Sequence, residues 1–253
     1  ANTGVIDITN NSYSDLTISK NISTKNGNIN IISNGNSVIS NTITTDFGNI
    51  VVTSNGLTLG SAVVEKAGDI TITSTNGYTQ NGNITTDYGK ILISLSNGSN
   101  TINGDIINTK GDIGIETNSL NTQFDSNIKT SDGKIEIDNK KGNLEFKGAK
   151  DIEATNGILI QNSGSSEKLT INAELTNDDH GIEISSKNGL DIKGSIINKK
   201  GDLSIYNTNG DMTSSSKITN LNGEVFFANG GGKIDITGDI DNIGNFAITQ
   251  KGA

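Results

Sequence analysis

Two short phrases hold the side chains best suited to binding chemistry. Thr45-Asp-Phe47-Gly48 and Thr86-Asp-Tyr88-Gly89 are near-copies, 41 residues apart. An exposed aromatic ring beside a carboxylate suits a sugar: the ring stacks on an apolar sugar face and the carboxylate accepts from hydroxyls. The competing reading is a repeated corner anchor with no ligand. Lys140 and Lys141, in Asp138-Asn-Lys-Lys141, are further candidate ligand contacts, because they fall where the spacing predicts a bulge and loops carry function disproportionately.

His180 is the only histidine and follows Asn177-Asp-Asp179. Carboxylates beside an imidazole suit metal binding or acid–base work. These residues adjoin on one turn and cannot all converge on one atom, so a solvated turn is the expectation. Gly230-Gly-Gly232 before Lys-Ile-Asp235 is read as a turn, since a calcium-binding Gly/Asp repeat acts only in tandem. Asn10, Asn21, Asn83 and Asn97 open Asn-x-Ser/Thr sequons, possible glycosylation sites that chance also produces in a chain with 37 Asn. Cofactor and metal sites are not expected.

The elements that would position these residues follow from composition and period. The 253 residues include 31 Gly but no Pro, Cys or Trp, and all 19 basic residues are Lys. Asn and Gly tolerate positive φ, so tight turns must be frequent. A net charge of −9 argues against a nucleic-acid partner, which needs clustered cations. No apolar run approaches the ~20 residues of a membrane helix, so no membrane insertion is expected.

The phrase Gly-x-Ile-x-Ile recurs along the whole chain. Its first apolar residue forms a ladder: Ile6, Ile29, Ile50, Ile70, Ile91, Ile113, Ile135, Ile158, Ile182, Leu203, Val225 and Phe246, at gaps of 20 to 24. A second ladder precedes each Gly, running Ile22, Ile43, Val63, Ile84, Ile106, Ile128, Ile152, Leu175, Ile196, Ile218 and Ile240. A weaker mid-repeat ladder runs Leu16, Val38, Leu57, Tyr78, Ile102, Phe124, Leu144, Leu169, Leu190, Met212 and Ile234. Strict alternation within each phrase puts one face inward. Twelve Asn-Gly pairs would ordinarily suggest hairpins, but a meander would not return one phrase every 22 residues or so in a single orientation.

The pattern predicts one all-β domain over 1–253: a single-stranded parallel β-helix of about twelve coils of ~22 residues, with three strands per coil and almost no helix. Right-handedness is expected from crossover chirality. About six inward residues per coil suffice, which reconciles a packed core with 31% hydrophobic residues. The longest coils, between Gly133 and Gly181, should bulge at Asp138–Lys141, Lys147–Lys150, Ser163–Lys168 and Asn177–His180. Polysaccharide hydrolases and lyases on this architecture need aligned Asp rows or a catalytic Arg. Arg is absent and no such row stands out, so enzymatic activity is not expected.

Asn21-Ile-Ser-Thr-Lys-Asn-Gly27 and Asn83-Ile-Thr-Thr-Asp-Tyr-Gly89, with the recurring Gly-[Asn/Asp/Lys]-Ile-x-Ile and its spacing, resemble filamentous-haemagglutinin-like exoproteins. These are the large adhesins of two-partner secretion, including the high-molecular-weight adhesins. Autotransporter passengers use similar coils. The resemblance implies a passenger segment of a larger exoprotein, secreted or held at the bacterial outer-membrane surface. It implies an outer-membrane transporter as secretion partner and a host cell-surface glycan or glycoprotein as ligand. A stalk that only projects a tip elsewhere is the alternative within the same class. The family's secretion domain carries Asn-Pro-Asn motifs, impossible here without Pro. Some members are glycosylated on sequons, which bears most on Asn21 and Asn83.

Overall fold

A computed structural model describes residues 4–148, 150–164 and 167–251. Ala149, Ser165 and Ser166, which fall within two of the expected bulges, lie outside the described residues. The chain winds as a β-solenoid of about 11 turns of ~22 residues. Among the described residues 28 strands, from β1 (Ile6–Asn10) to β28 (Phe246–Gln250), form one sheet in which all the pairings are parallel. Among the described residues there is no helix.

Each coil presents three faces. In the second coil the first face is Ile29–Ser33, and β5 (Ser37–Phe47) supplies both the middle and last faces. The Gly-x-Ile ladder is the inward column of the first face, rung by rung: Ile6 pairs with Ile29, Ile29 with Ile50, Ile50 with Ile70, and so on to Val225 with Phe246. Twelve such rungs enclose the eleven turns. Successive rungs sit about 4.8 Å apart, so like residues stack. The β-branched ladder residues suit this pleated packing and are almost wholly buried from Ile29 to Val225.

The other two ladders need correction. On the last face Ala62, not Val63, fills the column between Ile43 and Ile84, and Val63 points outward. On the middle face Val38 is 39% exposed, while Ser37 and Ile39 face in. The column through Leu57 and Tyr78 continues through Asn100 and Thr122 to Leu144; Ile102 and Phe124 belong to the neighbouring inward column with Gln80 and Phe146. Phe124 and Phe146 stack there with ring centroids 5.0 Å apart. Polar residues inside the column broke the apolar pattern. A one-residue error in an alternating strand exchanges inside for outside.

The repeated Gly has a steric cause. Gly48, Gly68 and Gly89 have φ of 135°, 152° and 147°. A Cβ on any of them would collide with the carbonyl of the glycine one coil earlier. The residue after this glycine bridges coils where the strand ladder has not yet begun. Asn28 Oδ1 accepts from Asn49 N–H at 2.9 Å, Asn49 from Asp69 at 2.9 Å, and Asp69 from Lys90 at 2.7 Å.

Inside two corners the side chains change along the rod. Early coils use hydroxyls: Thr45 and Thr86 donate to the carbonyls of Gly27 and Gly68 at 3.1 and 3.0 Å. Late coils use amides: buried Asn177, Asn198 and Asn220 and half-buried Asn242 form a chain of Nδ2–H to Oδ1 bonds at 2.8, 2.8 and 3.0 Å.

Candidate functional site

The two Thr-Asp-aromatic-Gly phrases end the last face of their coils. Their threonines point inward and hold the corner through the glycine carbonyls just described. The aromatic residue, two positions on, leaves the sheet at the turn. Phe47 pairs with Asn26 on one side and Ala67 on the other. Gly68 N–H reaches the Tyr88 carbonyl, and Tyr88 pairs with Lys110. Phe47, Ala67 and Tyr88 therefore occupy one column, as the sequence predicted for the two rings. Phe47 is 46% and Tyr88 52% exposed. Thr45 and Thr86 make the corner's hydrogen bonds, and the rings lie outside that network.

Each ring has a lysine from the next coil. Lys66 Nζ lies 5.1 Å from the Phe47 centroid and Lys110 Nζ 5.1 Å from that of Tyr88. Lys66 also reaches Asp46 at 3.7 Å. Lys110 has no ion pair among the described residues. Beside Phe47 the last face carries a shallow polar depression lined by Ser23, Thr24, Lys25, Thr44, Asp46 and Glu65. Asp87 accepts from the Thr109 hydroxyl at 3.2 Å. The arrangement offers two half-open aromatic surfaces flanked by balanced charge. Sequence reading missed Lys66 and Lys110. They fall 19 and 22 residues after their rings, about one coil, which is the signal that would have found them.

Lys140 and Lys141 are not part of this column. The extra residue of their coil leaves the ladder at Lys140: Thr117 faces Asn139 and Asn118 faces Lys141. Lys140 pairs with Glu116 of the preceding coil and lies 4.0 Å from Asp138. It holds together two carboxylates stacked on neighbouring rungs. Lys141 is exposed and makes no ion pair among the described residues.

His180 is exposed with φ of 72°. Its Nδ1 lies 3.8 Å from Asp179, whose carboxylate also accepts the His180 backbone N–H at 2.9 Å. Lys200 meets Asp179 at 3.0 Å and Lys199 meets Asp178 at 2.7 Å. The Lys200 hydrogen bond, with that of the His180 backbone, holds Asp179 below the usual carboxylate range. Among the described residues no group of three His, Cys, Asp or Glu side chains is placed to hold a metal.

The four sequons divide by geometry. Asn10 Nδ2 donates to the Ser14 carbonyl at 2.7 Å and Asn97 Nδ2 to that of Thr75 at 3.1 Å. Asn21 and Asn83 use only Oδ1, accepting from Thr42 N–H at 3.3 Å and Asp105 N–H at 3.0 Å. Their amide nitrogens have no partner among the described residues.

No protein-family model, curated protein or solved structure matches this chain.

Proposed function

We propose that this chain is a length of a surface-displayed bacterial adhesin of the filamentous-haemagglutinin-like type, a rod that binds host glycans or glycoproteins along its side. Secretion through an outer-membrane transporter and display at the outer-membrane surface belong to the same proposal. The observation that carries it is the Phe47–Tyr88 column. Two aromatic rings recur at one corner, stand about half exposed, and are not needed for the corner hydrogen bonds, which the neighbouring threonines make. Aromatic side chains give large contact energies at interfaces. The net charge of −9 disfavours nucleic acid as the ligand.

The stalk is the second reading, and one observation favours it. Much of the lysine charge is neutralised between coils, as in Lys129 with Asp151 at 2.8 Å and Lys168 with Asp191 at 2.9 Å. Such pairing occupies those lysines and weakens them as contacts for an acidic partner. We read the stacked carboxylates Glu116 and Asp138 in the same way, as a structural pair sharing Lys140 and not as catalytic acids.

The discriminating experiment applies the folded chain to epithelial cells and to a glycan array. Saturable binding that falls in the F47A/Y88A double variant supports the adhesin. Blank cells and a blank array favour the stalk.

A further inference from the structure

We propose that Phe47 and Tyr88 form one platform for a neutral, linear, β-linked glycan lying along the rod axis. The proposal rests on the adhesin reading and names the ligand class. Four observations carry it.

The first is spacing. The rings lie two rungs apart, about 9.6 Å by strand separation. In an extended β-1,4-linked glycan each sugar is turned over relative to the last, so residues n and n+2 present the same face. Their separation is one disaccharide, a length comparable with two rungs. The small Ala67 is the column residue between the rings, and the Lys66 ammonium beside it lies 5.1 Å from the Phe47 centroid, within donating reach of a sugar stacked there.

The second is chemistry beside the ring. Ser23, Lys25, Thr44, Asp46 and Glu65 line the depression next to Phe47. Carboxylates accept from neighbouring sugar hydroxyls, while lysine and hydroxyl groups donate to ring and hydroxyl oxygens.

The third is charge. Around the rings Lys25, Lys66 and Lys110 are matched by Asp46, Glu65 and Asp87, and the chain as a whole carries −9. A polyanionic glycan gains nothing locally and is repelled at long range. A neutral one is indifferent to both.

The fourth is economy of the fold. The corner hydrogen bonds are made by Thr45 and Thr86, so the corner is held without the rings, each of which meets a lysine ammonium 5.1 Å from its centroid.

The test is calorimetric titration of the intact chain with four hexasaccharides. Cellohexaose and chitohexaose are neutral and β-1,4-linked, maltohexaose is neutral but α-linked and curved, and the hyaluronan hexasaccharide is acidic. At least one of the first two should bind, and its disaccharide should bind at least about tenfold more weakly, because it cannot reach both rings. F47A and Y88A should each weaken the hexasaccharide about tenfold, and Asp46→Asn should weaken it as well. Tyr206→Ala removes an exposed ring outside the column and should change nothing. Equal or better binding of maltohexaose or hyaluronan overturns the ligand class. A glycan array positive with wild type and unchanged in F47A/Y88A overturns this platform but leaves the adhesin reading standing. A wild type that binds no glycan on array or cells overturns both.

Discussion

Asn198 Nδ2 donates to Asn220 Oδ1 at 2.8 Å inside the rod, and the same nitrogen donates to the Gly201 carbonyl at 2.7 Å. Asn198 Oδ1 in turn accepts from Asn177. One fully buried side chain thus satisfies groups on its own coil and on both neighbours. Hydrogen-bonded amides in a low-dielectric interior cost most when one partner is removed. Asn198→Ala should lower stability by about 3 kcal/mol, the cost of leaving several buried polar groups unpaired. Chemical denaturation checks this; a loss below about 1 kcal/mol would show that the amide ladder is dispensable.

Glycine is required at some repeats and incidental at others. Gly68→Ala places a methyl group against the Gly48 carbonyl at a φ of 152°. Gly114 sits on the outward side of the first face, where an added Cβ meets only the flexible end of Leu92 at 3.1 Å. Gly68→Ala should therefore cost more than about 2 kcal/mol, whereas Gly114→Ala should be neutral or stabilising, because glycine weakens a strand. Equal melting temperatures for the two variants would refute the account of the glycine column.

Anchor and ring separate at the corner. Thr86→Val removes the bond to Gly68 and should cost about 1 kcal/mol. Tyr88→Ala should change stability by no more than about 0.5 kcal/mol, as for other surface substitutions. Thermal melts of both variants, run beside the glycan titrations, test whether the ring belongs to binding and not to folding.

Acid should weaken the rod through Asp191. Its side chain is 13% exposed. Burial opposes its ionisation, but hydrogen bonds from Lys168, Thr213 and Lys193 prevail and hold it below the usual carboxylate range. The folded value lies below the unfolded one, about 3.9. The stabilisation is therefore complete above that unfolded value and is lost as pH falls through the folded one. Melting temperatures at pH 7, 4 and 3 should fall more steeply for wild type than for Asp191→Asn. Parallel curves would remove Asp191 from the acid response.

Of the sequons, Asn21 and Asn83 should be the preferred acceptors for an N-glycosyltransferase acting on the folded rod. Glycan transfer needs the amide nitrogen, which Asn10 and Asn97 commit to backbone carbonyls. Mass spectrometry after treatment of the native chain, then of the denatured chain, reads the difference. Equal occupancy of all four sites in the native chain would contradict it.

The sequence by itself determined the architecture. Every rung of the Gly-x-Ile column is where the repeat put it, because at most rungs the glycine and the β-branched residue each have a local cause: a close carbonyl and a pleated, stacked face. The corner shared by Phe47 and Tyr88 was legible for the same reason, since residues an integral number of coils apart must align. Only the tertiary structure decided which side of the strand Val38 and Val63 occupy, and that Asn100 and Thr122 lie inside. Hydrophobicity cannot report a polar residue whose donors are met by another coil. The Asn100 amide nitrogen is met in the core by Ser119 and Thr122, one coil on, which accept from it at 2.6 and 3.0 Å, while its Oδ1 has no partner among the described residues. The lysines beside the two rings were hidden in the same way: what a residue touches in a solenoid is one turn away in sequence, and the length of that turn varies from coil to coil.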